Sequence, residues 1–230
     1  MSAFKEYLKG KSVVLVGPAS TLLGQGMGPW IDGHDVVVRI NHAWPLPKHL
    51  ARDVGTRTDI LYHNLNPKKQ RLRKKDIIAM HQSGVQWVVS THPAVRARYR
   101  RRQRLLRRLS GRYVRFRAVP LSVKKRLRPH VGSANGGLIA IVDLLRYPIA
   151  RLYVTGFSFY TTPYLDYPNY KRSFIKNALN HHNQRRHKTY LARLLKREPR
   201  LAVDPFIERL LRQHMTRLRK RRRRKRGRKR

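Results

Sequence analysis

Cysteine is absent from all 230 residues, which excludes a disulfide framework, a thiolate metal site and a cysteine nucleophile. Acids are scarce as well. Eleven Asp and Glu face 54 Lys and Arg, and no two aspartates share the Asp-x-Asp spacing that would hold a divalent ion beside a sugar-nucleotide diphosphate. No apolar run is long enough to span a bilayer, and the opening "MSAFKEYLKGK" has no apolar stretch behind its lysines, so neither membrane insertion nor export is expected. The familiar phosphate-binding fingerprints are also missing. After Gly24 and Gly26 the sixth position of a G-x-G-x-x-G pattern is Pro29, and no Gly-Lys-Ser/Thr follows Gly17 at the distance a P-loop needs. There is no internal repeat.

What is present in excess is positive charge. Twelve basic residues fall in "RLRKRRRRKRGRKR", Arg217 to Arg230, and 42 remain in the body against the same eleven acids. The final segment has no apolar periodicity beyond Leu218, so it is expected to be a disordered polybasic tail on a single domain spanning residues 1–216. The body's excess concentrates in "KKQRLRKK", Lys68 to Lys75, and "RARYRRRQRLLRRLSGR", Arg96 to Arg112. Such charge suits nucleic acid, an anionic membrane surface or an acidic glycan, and does not choose among them; solvated surface arginine is the bland alternative.

The chain has 40% apolar residues, enough to build one well-buried core. Strand-like runs occur at Val13 to Val16, Asp35 to Ile40, Asp59 to Tyr62, Val85 to Ser90 and Arg151 to Thr155. Helical stripes lie between or after them, at Gly136 to Arg146 and His187 to Arg197. Alternating strands and helices imply an α/β domain with a mostly parallel central sheet flanked by helices. The opening run ends at Gly17, where small residues including Ser20 would let a phosphate-bearing ligand approach the backbone. Asp32 and Asp35 look conspicuous where acids are few, but turn and capping roles suit them better.

The ordered motifs resemble a known family. "VVLVGPAS…GMGPWIDGHDVVVRIN…DVGTRTDILYHN", Val13 to Asn64, is similar to the large sialyl motif of glycosyltransferase family 29, the sialyltransferases. "VGSANGGLIAIVDLLRYPIARLYVTGFSFY", Val131 to Tyr160, resembles the small sialyl motif, and His182 followed five residues later by His187 resembles the family's terminal His-x4-Glu. The resemblance implies a Rossmann-like single domain, the sialyltransferase variant of the GT-A-like fold. It implies a metal-independent inverting transfer of sialic acid or a related keto sugar from a CMP-sugar donor to a glycan hydroxyl. His182 would be the general base, its ordinary pKa lying near neutrality. Gly17, Ser20, Asn41, Asn135, Gly136 and Gly137 would hold the donor, with backbone N–H groups at a helix start facing phosphate. Tyr160, Tyr167 and Tyr170 would contact the acceptor.

The chain departs from that pattern at Pro18, where the family has asparagine, at Asn135-Gly136, and at His187 in place of the glutamate. The paired cysteines of animal members are missing, as a reducing compartment would have it. The lack of an export signal, the high arginine content and the compact length suggest a cytoplasmic bacterial or viral member, with nuclear targeting by the basic tail a further possibility. The alternative is a protein of the same fold that has lost catalysis and binds nucleic acid or another polyanion through the tail and Arg96 to Arg112.

Overall fold

A computed structural model describes residues 2–41, 43–65, 72–92, 97–167 and 173–227. In chain order the elements are α1 (Ala3–Leu8), β1 (Ser12–Val16), α2 (Gly28–Asp32), β2 (Val36–Ile40), α3 (Ala51–Val54), β3 (Ile60–His63), α4 (Lys74–Gln82), β4 (Trp87–Ser90), α5 (Ala97–Leu109), β5 (Arg115–Ala118), α6 (Leu121–Val131), α7 (Gly136–Leu144), β6 (Arg151–Thr155), α8 (Ser173–His181), α9 (Gln184–Arg197), β7 (Leu201–Val203) and α10 (Pro205–Gly227). The strands form one sheet in the order β5-β4-β3-β2-β1-β6-β7, and every neighbouring pair is parallel.

Both faces of the sheet are covered, and the interior strands therefore read as unbroken apolar runs. One face packs Val13, Leu15, Val38 and Tyr62 against α1, α6, α7, α9 and the start of α10. The other packs Val14, Val16 and Val37 against α2 and α3, and Leu61 and Val88 against α4 and α5. All four residues Val13 to Val16 are buried. At roughly 1.5–3 kcal/mol for each fully buried large aliphatic side chain, such strands carry much of the core's hydrophobic stabilisation.

The two edge strands, β5 and β7, were not anticipated. An edge strand has a neighbour on one side only, and these two are short, with β5 reading Arg-Phe-Arg-Ala in place of an apolar run. The tail expectation also needs correction. Helix α10 continues to Gly227, eleven residues into the segment read as disordered. Its first turns are anchored by buried Ile207 and Leu211, and arginine and lysine are good helix formers, so the helix propagates from a docked nucleus.

Candidate active site

Strands β1 to β5 extend the sheet one way and β6 and β7 the other, so the topological switch point lies between the carboxyl ends of β1 and β6. Those ends touch. A Cβ on Gly17 would lie 2.4 Å from the Gly156 carbonyl oxygen, and Gly156 itself has a φ of +71°. Asp204 braces the same turn, accepting from the Thr155 hydroxyl at 2.8 Å and the Gly156 amide at 3.1 Å. Beyond it opens a cleft of about 890 Å³, lined by the ends of β1, β2, β3 and β6 and by α6, α7 and the His181-His182 segment.

Helix α7 aims its N-terminus into this cleft. Asn135 caps it, its Oδ1 accepting from the Leu138 amide at 2.9 Å while its Nδ2 donates to the Tyr160 hydroxyl at 3.2 Å. The Gly136 and Gly137 amides donate to no protein acceptor among the described residues, as the first amides of a helix do not. Gly137 has a packing reason to be glycine, because a Cβ there would fall 2.4 Å from the Phe157 ring. Asn41, in the left-handed region at φ 49°, accepts from the Asn64 amide at 2.9 Å and keeps its own amide beside Gly136.

The histidines stand on the opposite wall. His182 Nδ1 and His187 Nε2 each lie 3.0 Å from the carbonyl oxygen of Ser133. A carbonyl only accepts, so both nitrogens carry protons and His182 Nε2 is left with its lone pair. Burial, and then the neighbouring His181, holds the His182 pKa below its usual 6.5, so the ring is neutral at neutral pH. His187 is fully buried beneath it, pushed down to about 4 mainly by burial, and its Nδ1 has no partner among the described residues. The Tyr160 ring lies parallel to His182 at 6.2 Å between centroids. Phe159 and Tyr160 both have positive φ, at 52° and 66°, a backbone conformation that side-chain-bearing residues seldom adopt.

The cleft thus gathers His182, Asn41, Asn135, Gly136, Gly137 and Tyr160, all read from the sequence. It leaves others out. Gly17 and Ser20 sit just behind the lining, which their neighbours Pro18 and Ala19 provide. Tyr167 is corrected from acceptor contact to core, since it is 1% exposed and packs with Ile31 and Val54 on the far face of the sheet. Tyr170 lies outside the described residues. The glycine-rich loop is no phosphate cradle either, because the Gly24 and Gly26 amides donate to Asp53 at 2.9 and 2.8 Å and hold its carboxyl below the usual range. Asp32 and Asp35 instead tie distant segments together, Asp32 accepting from Thr56 and Asp35 from Ser12.

Sequence reading missed the cationic shelf formed by Lys124, Lys125 and Arg128 on α6. Lys124 Nζ lies 2.9 Å from His92 Nδ1, and no carboxylate lines the cleft among the described residues. The shelf was hidden because a lysine pair on a helix in so basic a chain carries no signal of its own.

Residues 6–95 match the family model described as glycosyltransferase family 29 (sialyltransferase). The matched stretch is less than half of the chain. Over 56 residues the chain is 41% identical to "Sialyltransferase-like protein 2" of Oryza sativa subsp. indica, a stretch covering 24% of this chain and 14% of the rice protein. Its fold is similar to that of a mammalian sialyltransferase solved in complex with Gal-beta-1-3GalNAc-ortho-nitrophenol, with a TM-score of 0.51 and 17% identity. That match covers 87% of this chain and 71% of the mammalian one.

Proposed function

We propose that this protein is a family 29 enzyme that transfers sialic acid or a related keto sugar from a CMP-sugar to a glycan hydroxyl, without a metal ion and with inversion at the anomeric carbon. One observation carries the reading: the Ser133 carbonyl fixes the tautomer of His182 while burial keeps the ring neutral, leaving Nε2 to take a proton, in a cleft that also holds a helix N-terminus. The acceptor oxygen bonds to the anomeric carbon as the bond from that carbon to the CMP phosphate breaks. The hydroxyl proton passes to His182 Nε2, and CMP leaves with the bonding electrons.

Negative charge on the departing phosphate would be met by the Gly136 and Gly137 amides and by Lys124, Lys125 and Arg128. Cations of the chain itself would thus neutralise the charge that a metal ion neutralises elsewhere. Asn41 and Asn135, which line the same cleft, would contact the nucleotide and the sugar carboxylate.

The test is a thermal-shift titration with CMP in the presence of EDTA, followed by an assay for CMP release from CMP-sugars with and without glycan acceptors. CMP at millimolar concentration is expected to raise the melting temperature with no metal present. No shift, or one that requires magnesium, would overturn the reading.

A further inference from the structure

Away from the cleft, α6, α9 and α10 enclose a second groove of about 620 Å³. Arg185, Arg186, Arg193 and Arg219 line it, no carboxylate does, and Tyr190 and Met215 supply neutral surface between them. All four arginines are exposed, and no salt bridge among the described residues uses any of them. The Thr189 hydroxyl donates to the Arg185 carbonyl at 2.8 Å and accepts from His214 Nε2 at 2.9 Å, which ties α9 to α10. Cations held together in one concavity repel each other, and a bound anionic ligand relieves that repulsion.

We propose that this groove binds the phosphate backbone of a nucleic-acid strand without reading its sequence. The groove is recessed between helices, so a chain of phosphates can follow it whereas a flat plane of lipid headgroups would meet only its rim. A membrane-docking surface would also present apolar side chains for insertion. The large exposed apolar residues among those described are Leu23, Trp30, Leu121 and Leu179, and none lies on α9 or α10. Beyond the groove α10 continues with Lys220 and Arg221, extending the same charge along a possible strand path. Tyr190 and His130, their ring centroids 5.5 Å apart, give the groove an aromatic wall against which any base can pack, as sequence-independent binding requires. Nothing in this inference depends on glycosyl transfer.

Fluorescence anisotropy with a labelled oligothymidylate, measured over a range of salt on the full chain, tests it. The variant Arg185→Gln, Arg186→Gln, Arg193→Gln, Arg219→Gln is compared with a control that loses the same charge elsewhere, Arg104→Gln, Arg107→Gln, Arg108→Gln, Arg112→Gln. The groove variant is expected to lose about tenfold or more in affinity and to flatten the slope of log K against log salt by roughly 2 to 3, while the control loses far less. Equal losses in the two would overturn the groove in favour of diffuse net charge, and unchanged binding in the groove variant would overturn it outright. Binding to phosphatidylserine vesicles is measured in parallel. If the groove variant loses vesicle binding yet keeps the oligonucleotide, the surface serves a membrane and the proposal fails. Removing exposed, mutually repelling charges should leave the melting temperature at or above that of the wild type. If the quadruple variant melts early, Arg219→Gln alone is expected to flatten the slope by about 0.7, and no change in slope there would count against the groove.

Discussion

One backbone carbonyl, that of Ser133, accepts from two imidazoles, and this shared acceptor sets what each histidine can do. His182 keeps a free nitrogen at the cleft, so His182→Ala should lower turnover by roughly two to four orders of magnitude with little change in CMP affinity. His181→Ala, at the exposed rim, should be mild by comparison. Equal effects of the two in a steady-state assay would remove His182 from the role of base. Because its pKa is depressed, His182 loses its lone pair only below pH 6.5, and kcat/KM should be flat from neutral pH down to about that point before falling. His187 has a different consequence. Its folded pKa of about 4 lies below the usual 6.5, so between those values the unfolded chain binds the extra proton. Stability from this group is complete above pH 6.5 and is lost as pH falls toward 4, amounting to about 2 kcal/mol by pH 5. Denaturant titrations at pH 7 and pH 5 should therefore show a smaller drop for His187→Gln than for the wild type; equal drops would show that His187 protonates freely when folded. His182 was legible from motif spacing. Ser133 was not, because its contribution is a backbone carbonyl that any residue type would supply, and the reason for Gly137 was hidden in a contact with Phe157 twenty residues away.

At the scale of elements, α7 is fixed at both ends by groups that sequence pattern shows poorly. Near its C-terminus the fully buried Asp143 accepts from the Tyr62 hydroxyl at 2.8 Å and from both terminal nitrogens of Arg117, at 2.5 and 3.1 Å, joining the helix to β3 and β5. Removing the carboxylate strands a largely buried guanidinium, so Asp143→Ala should destabilise the fold by about 3–5 kcal/mol, whereas Tyr62→Phe should cost about 1 kcal/mol. Chemical denaturation would check the ratio, and comparable losses would mean that the ion pair is not what matters. At the other end Asn135→Ala removes the cap and the contact to Tyr160, for about 1 kcal/mol of stability. Weaker CMP binding should accompany it, since the amides at the start of α7 would lose their fixed direction. Interior strands were readable from their unbroken apolar runs; β5 was not, since Arg117 points its charge to Asp143 and the strand reads as surface. The partner that makes Arg117 an interior residue lies 26 positions away, beyond the reach of any local pattern.

For the molecule as a whole, alternation of strands and helices gave the parallel α/β class, but the order in which β6 returns beside β1 is a matter of pairing between distant segments. That return creates the switch point, and with it the cleft. Charge is the property most evident in composition and least determined in position. With a formal net charge of +43, the folded chain concentrates repulsion that the unfolded chain spreads over a larger volume, and the groove beside α10 concentrates it further. Added salt screens such repulsion over a Debye length of about 10 Å at 0.1 M and about 3 Å at 1 M. The melting temperature of the full chain should accordingly rise with sodium chloride across that range. A chain ending at Thr216 should gain less from salt, because twelve of the cations are gone. It should also melt close to the wild type at high salt, because the residues that anchor α10, Ile207 and Leu211, both lie before the cut. Melting curves of the two chains at low and high salt decide this. A truncated chain that melts far below the wild type at every salt concentration would show that the distal part of α10 contributes packing and not only charge.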